Sequence, residues 1–324
     1  MTPGGAANSN WENGEHAGRV IDDMAGRNLP NRHTIVFANE KGGVGKTTLA
    51  FHTAIALSNR GYRVLAIDLD ARQRSLARTI ENRHGAVVCL GLDLPTPKCS
   101  VLDRSSGAML SQEILRLGAQ CDVIIIDAPG HDVPVVRRAV AIADTLVTPV
   151  NASFFDLDVL ARFDPVSHRI REAGPFARTV LELRTEQAAR GLQRADWIVA
   201  KNRIRTSEKS HLARTLPQLD QIASSFGLRI AEGLRERVAY RALLQFGLTA
   251  SDLAAIPQMQ GFRMRDDGAL ARFVDGLALP APTMPQRQPI RRYAAKVPQR
   301  TREDYTNSLQ NHLYPLVGER AAIA

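Results

Sequence analysis

Two lysines, Lys41 and Lys46, bracket the glycine turn Lys41-Gly42-Gly43-Val44-Gly45-Lys46-Thr47-Thr48, a mixture of cations, bare backbone and hydroxyls suited to polyphosphate. Its glycines let successive backbone N–H groups point inward, because no Cβ blocks the unusual dihedrals or the close approach of an anion. A helix starting near Lys46 adds the positive end of its dipole. Lys46 then places a charge between β- and γ-phosphates, and the Thr47 hydroxyl is a ligand for Mg²⁺. An ordinary P-loop needs glycine at position 40; Glu40 stands there, so the turn is the deviant Walker A form.

Carboxylates with matching chemistry close two apolar runs. Asp127-Ala128-Pro129-Gly130 follows Val123 to Ile126 and reads as a Walker B: Asp127 holds a Mg²⁺-bound water, and the Gly130 N–H can swing toward a γ-phosphate. Ile67-Asp68-Leu69-Asp70 brings two acids to one strand end, Asp68 as a Mg²⁺ partner and Asp70 as positioner of an attacking water. A purely structural D-x-D is the alternative.

These residues need a scaffold that gathers strand ends. Ile35 to Ala38 precedes the turn, and Thr48 to Asn59 follows as a helix with Leu49, Thr53, Ala56 and Leu57 on one face and Gly61 as a left-handed cap. Further runs at 63–67, 123–126, 145–150 and 197–200 suit strands buried on both faces, with a helix over Val135 to Ile142. Strand and helix alternate, so the fold class is α/β, a mostly parallel twisted sheet with helices on both faces. Its carboxyl edge then collects Asn39, Asp68, Asp127, Asn151 and Asn202. Residues 1–32, rich in Gly, Asn and Ala, are expected as a disordered leader, 33–281 as the P-loop domain, and 282–324 as a basic, mostly flexible tail with one short helix near Tyr305 to Leu313.

Composition narrows the classes. Three cysteines, Cys89, Cys99 and Cys121, lack the spacing of a zinc or redox site, and no apolar run approaches a membrane span, so a reduced cytoplasmic protein is expected. The net charge of +9, from 42 Lys plus Arg against 33 Asp plus Glu, points to a polyanionic partner.

The chain resembles the ParA/MinD superfamily of P-loop ATPases, and within it the MipZ division-plane positioning ATPases. The similarity is carried by Asp68-Leu69-Asp70-Ala71-Arg72-Gln73-Arg74 through Arg83, where partition ATPases typically have D-P-Q-G-N, and by stretches at 148–154, 195–203, 233–238 and 246–249. That resemblance implies an ATP- and Mg²⁺-using homodimer that hydrolyses ATP slowly. In it Lys41 is the signature lysine contacting nucleotide across the dimer, Asp70 the hydrolytic aspartate, and Asn202-Arg203 the adenine-contacting pair. It also implies ParB-type protein, FtsZ and non-specific DNA as partners, with nucleoid association.

Basic residues between 201 and 241 fit phosphate-backbone contacts, with Arg203, Arg205, Lys209, Arg214, Arg235 and Arg237 as candidates. A membrane-binding helix is disfavoured, since Tyr305, Leu309 and Leu313 form a thin stripe beside Glu303 and Asp304. The rival readings are a ParA-type chromosome or plasmid partition ATPase and a P-loop ligase or phosphotransferase.

Overall fold

The computed structural model describes residues 15–102, 106–151, 157–204, 209–236, 238–259, 268–282 and 302–317. In chain order the first half comprises α1 (Ala17–Ala25), β1 (His33–Phe37), α2 (Lys46–Asn59), β2 (Val64–Asp68), α3 (Ser75–Leu90), β3 (Lys98–Val101), α4 (Gly107–Leu117), β4 (Val123–Asp127) and α5 (Pro134–Ala141). There follow β5 (Thr145–Val150), β6 (Ala161–Phe163), β7 (Ile170–Ala173), α6 (Pro175–Ala189), β8 (Asp196–Lys201), α7 (Lys209–Phe226), β9 (Arg229–Glu232), α8 (Val238–Gln245), α9 (Ala269–Asp275) and α10 (Arg302–Val317).

Seven parallel strands form one sheet in the order β3-β2-β4-β1-β5-β8-β9, and β6 and β7 make a separate antiparallel pair. Alternating side chains of the central strands feed two different cores: Ile35 and Phe37 pack with Leu49 and Leu57 of α2 and Phe273 of α9, whereas Val36 packs on the face that carries α1 and α4 to α7. The register sets Phe37 and Asp68 each opposite Asp127, so the ends of β1, β2 and β4 come level at one edge. Gly61, at φ 88°, closes α2: its N–H donates to Ser58 O at 3.0 Å while the Tyr62 N–H reaches Leu57 O at 3.1 Å.

Two terminal segments depart from the sequence reading. Residues 17–25, expected within a disordered leader, form α1, whose Val20, Ile21 and Met24 are buried in the core shared with α5 and α6. The signal is short, three apolar residues within five positions, and it is obscured by the Gly- and Asn-rich residues before it. Acids on the other face meet arginines of the body: Glu15 and Asp23 hold Arg138 at 2.6 and 2.8 Å, and Asp22 holds Arg190 at 2.6 Å. We expect Ile21→Ala to lower the stability of the whole domain by about 2–4 kcal/mol in urea titration, the cost of a core cavity; an unchanged midpoint would show that α1 is not packed.

Residues 302–317 form α10 where a short helix was expected, but the helix packs on the body. Tyr305, Leu309 and Leu313 recur every fourth position and are buried against α3 and α8. The stripe weighed as a membrane face is therefore turned inward. Among the described residues, no helix is long and apolar enough to cross a membrane.

Beside this contact lies a buried ion pair. Arg83 of α3, 0% exposed, grips both carboxylate oxygens of Asp252 at 2.7 and 2.9 Å and donates to Pro95 O and Gly247 O. Asp252 in turn accepts from the Thr249 N–H and hydroxyl, each at 2.7 Å, capping the short 3₁₀ turn Ala250–Ala255. Gly247 lies at φ 64°, and a Cβ there would stand 2.1 Å from Arg83 N.

Candidate nucleotide site

The turn between β1 and α2 is clamped from three directions. Asn39 donates to Pro149 O at 2.8 Å and accepts from the Lys41 N–H at 2.9 Å, fixing the turn's start to β5. Lys46 Nζ donates to Lys41 O at 3.0 Å, folding the buried amine back under the loop. Asn202, at the end of β8, donates to Val44 O at 2.8 Å and accepts from the Leu234 N–H at 2.9 Å. Only glycine suits position 45: its φ is 86°, and a Cβ would stand 2.5 Å from Asn202 Nδ2.

Above the turn opens a cavity of about 780 Å³ lined by Gly42, Gly43, Gly45, Lys46, Thr47 and Thr48, with Asp68, Asp70, Asp127, Gly130 and Arg203 around them. The Thr47 hydroxyl donates to Asp127 Oδ2 at 2.6 Å, while Asp127 Oδ1 is buried without a hydrogen-bond partner. Burial pushes the Asp127 carboxyl up to about 7; the Thr47 hydrogen bond and Lys46 pull against it, and Asp68 and Asp70 add to it. Burial also lowers the Lys46 pKa, opposed by Asp127 and Asp70. An orphaned carboxylate oxygen beside a threonine hydroxyl fits Mg²⁺: Thr47 and Asp127 would hold the ion, and phosphate oxygens would complete its shell.

The remaining acids differ in what they touch. Asp68 accepts from Asp70, Leu76 and Ala77 N–H groups at 2.9 to 3.1 Å, so its carboxylate anchors the first turn of α3 as well as lining the cavity. The structural role weighed for Asp70 is thus one that Asp68 takes. Asp70 Oδ1 accepts from Arg72 and Gln73 N–H groups at 3.1 and 2.9 Å, which holds the 70–73 turn on the cavity wall.

Across the cavity, a Cβ on Gly130 would lie 3.4 Å from Lys46 Nζ, so this turn sits directly over the loop. Asp132, two residues on, is gripped by Arg137 through Nε at 3.1 Å and through Nη2, and Arg137 Nη1 also donates to Glu15 O at 3.1 Å. Sequence reading did not find this fork; only the unexpected docking of α1 brings Glu15 to α5.

The strand-end pair is held as follows. The Asn202 side chain is fully buried and bonded to the P-loop and Leu234, so it braces the glycine turn. Arg203 donates to Gly43 O, pairs with Glu236 at 2.9 Å and lines the cavity. Of the other DNA candidates, Arg235 is exposed, Lys209 and Arg214 fall on α7, and Arg205 and Arg237 lie outside the described residues.

A parallel sheet of this order, with a glycine turn at the end of β1 and an aspartate at the end of β4, defines a P-loop nucleotide-binding protein of the ParA/MinD type. More narrowly, residues 33–281 match the model of the ATPase MipZ family, and the chain belongs to that family. It is 28% identical over 217 residues to the chromosome-partitioning ATPase Soj of Thermus thermophilus, covering 57% of this chain and 87% of Soj. Against the chromosome partitioning protein ParA of Myxococcus xanthus it is 28% identical over 156 residues, 40% of this chain and about half, 55%, of that relative. The fold is similar to that of apo McdA from Cyanothece, with a TM-score of 0.52 and 19% identity over 76% of this chain and 100% of that one. Members of the family are ATPases.

Proposed function

We propose that this chain is an ATP-driven molecular switch: solitary with ADP, paired face to face with ATP, and reset by slow hydrolysis, acting in the spatial regulation of cell division. The observation that carries the reading is Lys46, Thr47 and the unsatisfied Asp127 carboxylate converging under the Gly130 turn. In this reading the glycine-turn N–H groups and Lys46 bind and orient the phosphates, and Gly130 reports the terminal one. Asp70 orients the attacking water, and Lys41 completes the partner's pocket. Bound Mg²⁺ supplies charge neutralisation on the phosphate oxygens.

The outputs proposed are FtsZ inhibition, contact with ParB-type protein and non-specific DNA binding on the nucleoid in the cytoplasm. The relatedness to Soj and ParA supports a second output, chromosome partition, built on the same switch. Size analysis of Asp70→Ala with ATP and with ADP tests the switch. We expect a dimer with ATP alone, lost again in the Lys41→Ala/Asp70→Ala double variant; a protein that stays monomeric with ATP contradicts the reading. Adding FtsZ, then ParB with DNA, separates the two outputs, and turnover without any acceptor excludes a phosphotransferase.

The Asp127 carboxyl gives a pH signature. Its raised folded pKa makes a stabilising contribution that is lost as pH rises from the ordinary 3.8 through about 7, so the nucleotide-free protein weakens over that window. Mg²⁺ takes only the ionised form. Mg²⁺-dependent nucleotide affinity should therefore be roughly tenfold weaker at pH 6 than at pH 8, as read by calorimetry with proton release, and this slope should vanish in Asp127→Asn.

A further inference from the structure

We infer that Arg72 is a γ-phosphate-contacting residue of this site, the group by which the pocket distinguishes a nucleoside triphosphate from a diphosphate. The inference rests on the nucleotide-binding reading above and names a residue that reading does not use.

Three cationic side chains line the cavity, those of Lys46, Arg72 and Arg203. Two are committed: Lys46 Nζ to Lys41 O, and Arg203 to Gly43 O and Glu236. The Arg72 guanidinium makes no hydrogen bond or ion pair among the described residues, although the carboxylates of Asp68, Asp70 and Asp127 line the same space. Its backbone, by contrast, is fixed. The Arg72 N–H donates to Asp70 Oδ1, the Arg74 N–H closes the turn on Asp70 O at 2.7 Å, and Asp68 ties the base of that turn to α3.

A free planar fork on a rigid turn is suited to grip a terminal phosphoryl group, which offers several oxygens in the geometry that a guanidinium matches and an ammonium does not. Charge points the same way. A triphosphate entering a cavity lined by three carboxylates meets repulsion, and Lys46 and Arg203 are already committed to backbone and to Glu236, so the terminal phosphoryl group is where an added cation counts most. On this reading the fork leaves the α- and β-phosphates to the glycine turn, so diphosphate binding does not depend on it.

The test compares ADP with a non-hydrolysable ATP analogue by calorimetry, together with steady-state turnover, in wild type, Arg72→Ala, Arg72→Lys and Arg78→Ala. Arg78 is an exposed α3 residue that does not line the cavity. Arg72→Ala should bind ADP within twofold of wild type, bind the analogue about tenfold or more weakly, and turn over about 10- to 100-fold more slowly. Arg72→Lys should recover part of the analogue affinity and little of the turnover, and Arg78→Ala should match wild type. Unchanged analogue affinity in Arg72→Ala, or equal losses for ADP and analogue, overturns the assignment. Wild-type protein that binds neither nucleotide overturns the nucleotide reading itself, a distinct result.

Discussion

Lys46→Ala is expected to lower ATP turnover about 100- to 1,000-fold, the scale seen when one aimed donor is removed from a preorganised electrostatic site. The amine is buried and held at Lys41 O, 3.0 Å away, so its position is set before any phosphate arrives. Burial lowers its pKa, while Asp127 and Asp70 favour the charged form. Removing it takes away the cation nearest the buried Asp127 carboxylate and leaves Lys41 O without its donor. Lys46→Arg should not rescue, because a longer, planar head has little room beside the Gly130 turn, where even an added Cβ would lie 3.4 Å from Nζ. Phosphate-release kinetics check both variants; either one retaining more than about a tenth of wild-type turnover removes Lys46 from the proposed role.

The second large effect is on stability. Arg83→Ala should cost about 3–5 kcal/mol, because it leaves the Asp252 carboxylate buried with its counter-charge gone. Two carbonyls, of Pro95 and Gly247, lose donors at the same time. The damage should spread to α10, which packs on the same part of α3 and α8. Replacing the pair with apolar residues, Arg83→Met with Asp252→Leu, should recover part of the loss. Recovery should stay incomplete, since Asp252 also caps the turn at Thr249. Equilibrium unfolding in urea reads both, and a double variant less stable than Arg83→Ala would argue that the cap outweighs the buried charge.

The phosphate site was legible in sequence to the degree that backbone requirements show as residue types. Glycine at 43 and 45 records positive φ, the apolar runs record strands covered on both faces, and the aspartates ending β2 and β4 record the sheet's carboxyl edge. What sequence could not give is which partner a polar side chain takes once several compete. The resemblance implied an adenine contact for Asn202; in the structure its amide donates to Val44 O, a buried carbonyl of the tight turn. Asp68 read as a metal partner, and its bonds go to the open N–H groups at the start of α3.

At the termini, α1 and the docking of α10 were illegible for another reason, although a short helix near Tyr305 to Leu313 was expected. Each carries only about one apolar residue per turn on the buried side, Val20 with Ile21 and Met24 in one and Tyr305, Leu309 and Leu313 in the other. That is too narrow a stripe to announce that a helix is buried without knowing the groove that receives it.

The fork of Arg137 between Asp132 and the Glu15 carbonyl has a mechanical consequence. A guanidinium is a rigid plate, so tilting one end to follow Asp132 would move the other relative to Glu15, just before α1. One side chain thus joins the segment before α1 to the residues that follow the Gly130 turn, so the two are held in register with each other.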